Sequence, residues 1–315
     1  MYESFFGLQE APFTLTPNTH FFLKSETHQQ GLEMLLVALR NKEGFIKISG
    51  EVGTGKTLLC RKLLNALDDS CITAYIPNPH FSVESLYGIL ADELAASLKS
   101  EPEDEWGHAH AQYNSTGEKH VLALQRINEY LIQFASKGKQ VVLIIDEAQS
   151  MPEETIEALR LLTNLETESE KLLQVVLFGQ PELDVMLSKK HLRQLQQRIT
   201  FQHQIKPLER SDIEHYISHR MLLAGYTGGR LFEAKAITLL TRASGGVPRL
   251  VNVLCHKALM SAYGQGSRLV QGKHMKAAIR DTESIKRSFW QRLPWQMALL
   301  FVYAGLGLTE TGLIL

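Results

Sequence analysis

The stretch Gly50-Glu51-Val52-Gly53-Thr54-Gly55-Lys56-Thr57 decides the fold. It fits the pattern GxxxxGK[ST], and its flanks supply the context the pattern needs. Phe45 to Ser49 is a short apolar run suited to a buried strand, and Leu58 to Leu67 carries a helical period. The residue types answer to one task. Glycines let the backbone curl so that successive N–H groups point at phosphate oxygens. A helix opening at Lys56 adds its dipole and its unpaired N–H groups. Lys56 is expected to reach the β- and γ-phosphates, and the Thr57 hydroxyl to bind Mg²⁺. Gly50 through Leu58 is therefore a candidate cradle for a nucleoside triphosphate, with ATP and Mg²⁺ as the expected ligands.

Outward from this loop two periods alternate. Helices are predicted over 31–40, 83–98 and 121–134, and another from Pro152, a favoured first-turn residue. Strands are predicted over 71–76, 141–145 and 172–178, and an alternating edge strand over 199–205. Lys99 to Gly117 is acidic and turn-rich and reads as an exposed loop. Strands separated by helices imply a parallel sheet covered on both faces. Beyond Pro207 the strands stop, and 210–223, 233–243, 247–263 and 272–281 all read as helices. The expected organisation is an α/β nucleotide-binding domain over 1–207, a small all-helical domain over 208–283, and a basic linker with an apolar tail over 284–315.

The second motif is Val141-Val142-Leu143-Ile144-Ile145-Asp146-Glu147. A strand buried on both faces delivers two carboxylates at its C-terminal end, where open α/β sheets bind ligands. Asp146 is expected to hold Mg²⁺ together with Thr57. Glu147 is the candidate general base for the attacking water.

Bulk properties set the limits. The chain has 315 residues, and 44% are hydrophobic, so a sizeable core can be buried. The net charge of −1 does not single out a nucleic-acid binder. The charge is uneven, however: residues 201–315 carry 15 Lys+Arg against 7 Asp+Glu, and the first 200 carry 18 against 27. Either an anionic partner for the back half or an acidic domain beside a basic one accounts for this. Cys60, Cys71 and Cys255 form no CxxC pair, which fits a reducing compartment. Met1 to Glu10 lacks a charged region followed by an apolar one, so no secretory signal is expected. His108 and His110 lack a third placed ligand and are expected to be solvated.

Together with these two motifs, Leu177-Phe178-Gly179-Gln180, Gln197-Arg198 and Gly246-Val247-Pro248-Arg249 resemble an AAA+ ATPase. Phe5-Phe6-Gly7-Leu8 with Pro12-Phe13, Asp146-Glu147-Ala148-Gln149, Leu161 to Glu166 and Gly179-Gln180-Pro181-Glu182-Leu183 resemble the ExeA/GspA type. Those ATPases serve envelope secretion and pilus machines. Phe45 to Glu51 and Asn164 to Ser169 are similar to the ATPases of MSHA pilus biogenesis. The resemblance covers about residues 1 to 283.

It implies further roles. Gln180 falls in the sensor-1 region, which touches the γ-phosphate or the attacking water; many relatives carry Asn or Thr there. Arg198 would be the arginine finger for a neighbouring subunit, with Arg193 as the competing candidate. Arg249 matches a sensor-2 arginine that closes the helical domain, as a lid, over the nucleotide. Phe13, Phe22 and His28 are candidates for the base pocket, and the aromatic residues are equally suited to the domain core. A homo-oligomer, open or closed into a ring, and inner-membrane proteins of a pilus or secretion machine are the implied partners.

Lys286, Arg287 and Arg292 with Trp290 and Trp295 precede an apolar stretch from Met297 that runs, with Glu310 inside it, to Leu315. Basic residues, tryptophan and then apolar residues suit a cytoplasmic flank entering a bilayer. A C-terminal membrane anchor at the cytoplasmic face of the inner membrane is therefore expected, with a docked core helix as the alternative. The expected function is ATP hydrolysis that powers or regulates a type IV-like (MSHA) pilus or related secretion machine. Two alternatives stand beside it: a DNA-associated AAA+ protein such as a transposition helper, and an oligomeric scaffold that binds nucleotide with little turnover. No recognition helix or separate basic module is evident, so nucleic acid is not the expected partner.

Overall fold

Parallel strand order governs this molecule, since it brings three strand ends side by side. The structure, a computed structural model, describes residues 1–15, 19–23, 25–99, 116–166 and 171–283. Contacts divide the chain into two units. One is Thr16–Pro207, and the other joins Met1–Leu15 to the residues from Leu208 onward.

In chain order the elements are α1 (Tyr2–Phe6), α2 (Glu26–Arg40), β1 (Phe45–Gly50), α3 (Lys56–Leu64), β2 (Cys71–Ile76), α4 (Val83–Lys99), α5 (Thr116–Ser136), β3 (Gln140–Ile145), α6 (Glu153–Leu162), β4 (Leu173–Gly179), α7 (Pro181–Leu187), α8 (Arg193–Arg198), β5 (Ile199–Ile205), α9 (Arg210–Leu223), α10 (Ala234–Ser244), α11 (Pro248–Gly264) and α12 (Gly272–Arg280). The strands follow the apolar runs of the sequence, and the helix ends move by a few residues. α2 begins at Glu26 rather than Gly31, because Ser25 leaves the helical conformation there.

The five strands form one sheet in the order β2-β3-β4-β1-β5, and every pairing is parallel. Helices cover both faces, and the alternation of side chains along a strand shows how. Val141, Leu143 and Ile145 of β3 pack with residues of α4, α5 and α6. Val142 and Ile144 pack on the opposite side with residues of α2 and α3. β4 does the same, with Val175 and Leu177 on one face and Val176 and Phe178 on the other. Each such side chain buried contributes about 1.5–3 kcal/mol, which is why these runs carry no polar alternation. Among the described residues β5 pairs with β1 alone, and its burial alternates, as suits an edge strand. Lys47 is the exception on buried β1; a charge there needs a partner, and its ammonium is ion-paired with Asp184 of α7.

The second unit is helical, and the amino terminus belongs to it rather than to the α/β domain where the sequence placed it. Phe6, Leu8 and Phe13 are buried. The Phe13 ring lies edge-on to Phe232 at 6.2 Å, and the Tyr2 hydroxyl hydrogen-bonds His256 Nδ1 at 3.0 Å. Gln9 N–H donates to Ala224 O, and Arg220 Nε donates to Pro12 O. Tyr2 packs on α11 and Phe13 on Phe232 just ahead of α10, and this burial makes the amino terminus part of the helical unit. Phe13 is thus core of the helical unit.

Among the described residues no helix is long and apolar enough to cross a membrane. The expected linker and tail from Ser284 onward, and His108 and His110, lie outside the described residues.

Candidate nucleotide site

Three neighbouring strands end together. β4 lies between β1 and β3, and Ile48 pairs with Phe178 while Ile145 pairs with Leu177. The loop after β1, the Asp-Glu pair after β3 and Gln180 after β4 therefore meet at one edge of the sheet, outside the strand C-termini.

The loop from Gly50 to Thr57 is held from several sides. Gly53 and Gly55 adopt φ of 80° and 101°, a region that favours glycine. At Gly50 a Cβ would lie 3.0 Å from Ile205 O, so the chain passes too close to β5 for a side chain. The Thr54 hydroxyl donates to Glu51 O at 2.8 Å. Lys56, the first residue of α3, is buried, and its Nζ donates to Gly50 O at 2.8 Å and Glu51 O at 3.0 Å. Burial pulls its pKa down, against the nearby Glu147 and Asp146 charges. Glu51 and Val52 are exposed at the loop tip, and Leu58 is half-buried in the first turn of α3.

His28 braces this loop from behind. Its Nε2 hydrogen-bonds Thr54 O at 3.0 Å and its Nδ1 meets Ser25 Oγ at 2.5 Å. Nε2 must carry the proton, since Thr54 O can only accept. Burial holds the imidazole below its usual pKa, opposed by the Thr54 bond and reinforced by His203. Both ring nitrogens are therefore engaged by protein, and His28 supports the cradle. Phe22 packs edge-on to His28 at 5.4 Å, with Lys62 Nζ 5.6 Å above its ring. Ser25 gave no signal in the sequence beyond its place just before a helix.

Asp146 is buried beside Thr57, whose hydroxyl hydrogen-bonds its carboxylate. Burial pushes the Asp146 carboxyl up, against that bond and the Glu147 N–H, which donates to Oδ1 at 2.9 Å. A hydroxyl and a carboxylate are hard oxygen ligands of the kind Mg²⁺ takes, with water and substrate phosphates completing its octahedron. Among the described residues no three His, Cys, Asp or Glu side chains gather to form a separate metal cage. The pair Thr57 and Asp146 thus fits a cation shared with a triphosphate.

Glu147 sits in the left-handed region at φ 54° and ψ 39°, an uncommon place for a residue with a side chain. Its Oε2 accepts from Gln149 Nε2 at 2.6 Å and from Gln180 Nε2 at 2.8 Å. Burial raises its pKa, but these two bonds and the Lys56 charge outweigh it, leaving the carboxyl below its usual range. A half-buried carboxylate kept ionised at a strand end can accept a proton from water. Gln180 directs its amide at Glu147, whereas the sequence pointed it at phosphate or water.

The remaining candidates lie apart. Ile199 pairs with Phe45, at the start of β1. Arg198 is therefore at the opposite edge of the sheet, roughly 17 Å from Gly50 at about 3.3 Å per residue. Its Nη1 donates to Asn164 Oδ1 at 2.5 Å. Arg193 is exposed at the first residue of α8. At that separation Arg198 does not reach the site of its own chain. Arg249 belongs to the helical unit, exposed in the first turn of α11.

With this geometry in view, residues 39–187 match the family described as AAA domain. The chain is 38% identical over 312 residues to general secretion pathway protein A of Aeromonas hydrophila; the match takes in 99% of this chain and 53% of that protein. The chain thus spans about half the length of that relative. Among solved structures, the Aeropyrum pernix ORC1 protein in complex with DNA superposes with a TM-score of 0.55, at 16% identity, over 86% of this chain and 69% of that one. The Walker-type ATPase of Pyrococcus abyssi superposes with a TM-score of 0.54, at 16% identity, over 87% and 79%. At such identities the two structures speak for the fold alone.

Proposed function

We propose that this chain, whose α/β unit is an AAA-type P-loop domain, is an ExeA/GspA-type ATPase that powers or regulates a secretion or MSHA-like pilus machine at the cytoplasmic face of the inner membrane. The observation that carries the hydrolytic part is the meeting of Lys56, Thr57, Asp146 and Glu147 at adjacent strand ends. The likeness to general secretion pathway protein A supports the envelope setting.

ATP would lie along the loop, with its phosphates on the N–H groups at the start of α3 and on Lys56. Mg²⁺, when bound, neutralises phosphate charge beside Thr57 and Asp146. Glu147, kept ionised, orients a water and takes its proton. Since Arg198 sits at the far end of β1 from the loop, a finger from it would serve a neighbouring copy, which makes the active form a homo-oligomer; Arg193 remains the competing candidate. Arg249 would act as sensor 2, with the helical unit closing as a lid.

Two measurements test this reading. The full chain and one ending at Arg287 are compared for Mg²⁺-dependent phosphate release and for sedimentation with inner membranes. The full chain is expected to turn over ATP and to partition with membranes through residues 288–315, and the shorter chain to remain in the supernatant. A full chain that ignores membranes but shows DNA-stimulated, steeply salt-dependent hydrolysis would favour a DNA-associated role instead.

A further inference from the structure

Gln149 donates to the carboxylate of Glu147. Its amide is also the middle of a closed ring. Gln149 Nε2 donates to Glu147 Oε2 at 2.6 Å, and Gln149 Oε1 accepts from the backbone N–H of Gln180 at 3.0 Å. Gln180 Nε2 then returns to the same Glu147 Oε2 at 2.8 Å. The orientation of the Gln149 amide is fixed by chemistry. The Gln180 N–H can only donate, so the oxygen of Gln149 must face it and the nitrogen must face the carboxylate.

Local structure explains how a residue two positions after the base reaches it. Glu147 takes the left-handed conformation, and the following 3₁₀ turn, Ala148–Ser150, folds the chain back. Ser150 Oγ closes that turn by donating to Glu147 O at 2.8 Å. Buried Ala148 anchors the turn, and Gln149 is left at the seam between the ends of β3 and β4. On the β4 side the donating N–H belongs to Gln180, the residue just before α7.

We propose that Gln149 is a positioning residue for hydrolysis, which fixes one oxygen of Glu147 and couples the base to the end of β4. The inference rests on the hydrolase reading above. The terminal torsion of a glutamate is soft, so a carboxylate held at a single oxygen by one donor rotates easily. Two donors on Oε2, tied to each other through Gln180 N–H, remove that freedom and leave Oε1 to address the water. A shift at Gln180 is then transmitted to the base through Gln149 as well as directly.

The test compares the full chain with Gln149→Met, Gln180→Met, the double variant, and Gln149→Met in a Glu147→Gln background. Gln149→Met keeps the length of the side chain and removes both bonds. Phosphate release gives kcat and KM; a fluorescent ATP analogue with Mg²⁺ gives affinity; thermal unfolding reports folding. Gln149→Met should lower kcat at least tenfold, the scale of a misplaced catalytic group, with KM and affinity within twofold. The double variant should be no worse than about threefold below the lower single, because the ring acts as a unit. In the Glu147→Gln background Gln149→Met should change nothing further. If Gln149→Met does not fold, Gln149→Glu replaces it; this variant keeps the acceptor for Gln180 N–H and faces Glu147 with a like charge, so the same kcat loss is expected.

A kcat within twofold of the unmodified chain overturns the inference alone, as do multiplied losses in the double variant or an equal fall in affinity. No turnover by the unmodified chain overturns the hydrolase reading and the inference with it.

Discussion

Gly55→Ala should disable the nucleotide cradle while leaving the rest of the α/β unit folded. Gly55 adopts φ 101°, and a Cβ there would lie 2.7 Å from His28 Nε2. The left-handed backbone costs an L side chain about 1–2 kcal/mol. The histidine cannot swing away freely, because its two nitrogens are held by Ser25 and Thr54. Displacing it gives up a buried hydrogen bond of about 1 kcal/mol. Together, about 2–3 kcal/mol weighs against the loop conformation that presents its N–H groups. At about 1.4 kcal/mol per tenfold, nucleotide affinity should fall roughly 30- to 150-fold. Titration of a fluorescent ATP analogue with Mg²⁺ measures this directly. Gly88→Ala in α4 is the control: nothing lies within 4 Å of its added Cβ, so it should bind as the unmodified protein does and be stabilised by up to about 1 kcal/mol. Undiminished affinity in Gly55→Ala would refute the idea that His28 and Gly55 shape the cradle.

Gly246→Ala should unfold the helical unit at lower denaturant, by about 3 kcal/mol or more, since φ is 78° and its Cβ would fall 2.1 Å from Leu208 O; a urea midpoint unchanged from the unmodified protein would contradict this. Stability should depend on pH through His28. Its folded pKa lies below its ordinary 6.5, so the unfolded state holds more protons in the window beneath that value. Stability is then complete above about 6.5 and falls as the pH drops below it. His28→Gln should flatten that slope, leaving the part due to His274, which burial also holds low; an unaltered slope would remove His28 as its source.

What could be read from the sequence divides along local and non-local lines. The runs at 45–50, 141–145 and 173–179 announce themselves because every position is buried, and the few polar residues inside them, Lys47, Ser49 and Gln174, set no period of their own. The loop at Gly50 to Thr57 is legible because eight consecutive residues do one job. Gln149 stands inside the Asp146-Glu147-Ala148-Gln149 motif, but its contacts need β4 to lie beside β3, and strand order is not written in any local period. The same holds for the amino terminus. α1 has five residues, too few to show a helical period, and its partner His256 is 254 positions away. His28 was placed near the nucleotide from its position, whereas its use of both nitrogens on Ser25 and Thr54 follows only from three-dimensional packing.

The most direct test is the fate of ATP on Glu147→Gln. The substitution keeps the shape of the side chain and removes the carboxylate that Gln149 and Gln180 hold. With Mg²⁺ and radiolabelled ATP, phosphate release should fall by at least a hundredfold. Rapid gel filtration should then recover the variant with intact ATP bound, and the unmodified protein with ADP or none. Phosphate release at the unmodified rate would contradict the assignment of Glu147 as the base and, with it, the reading of these strand ends as a hydrolysis site.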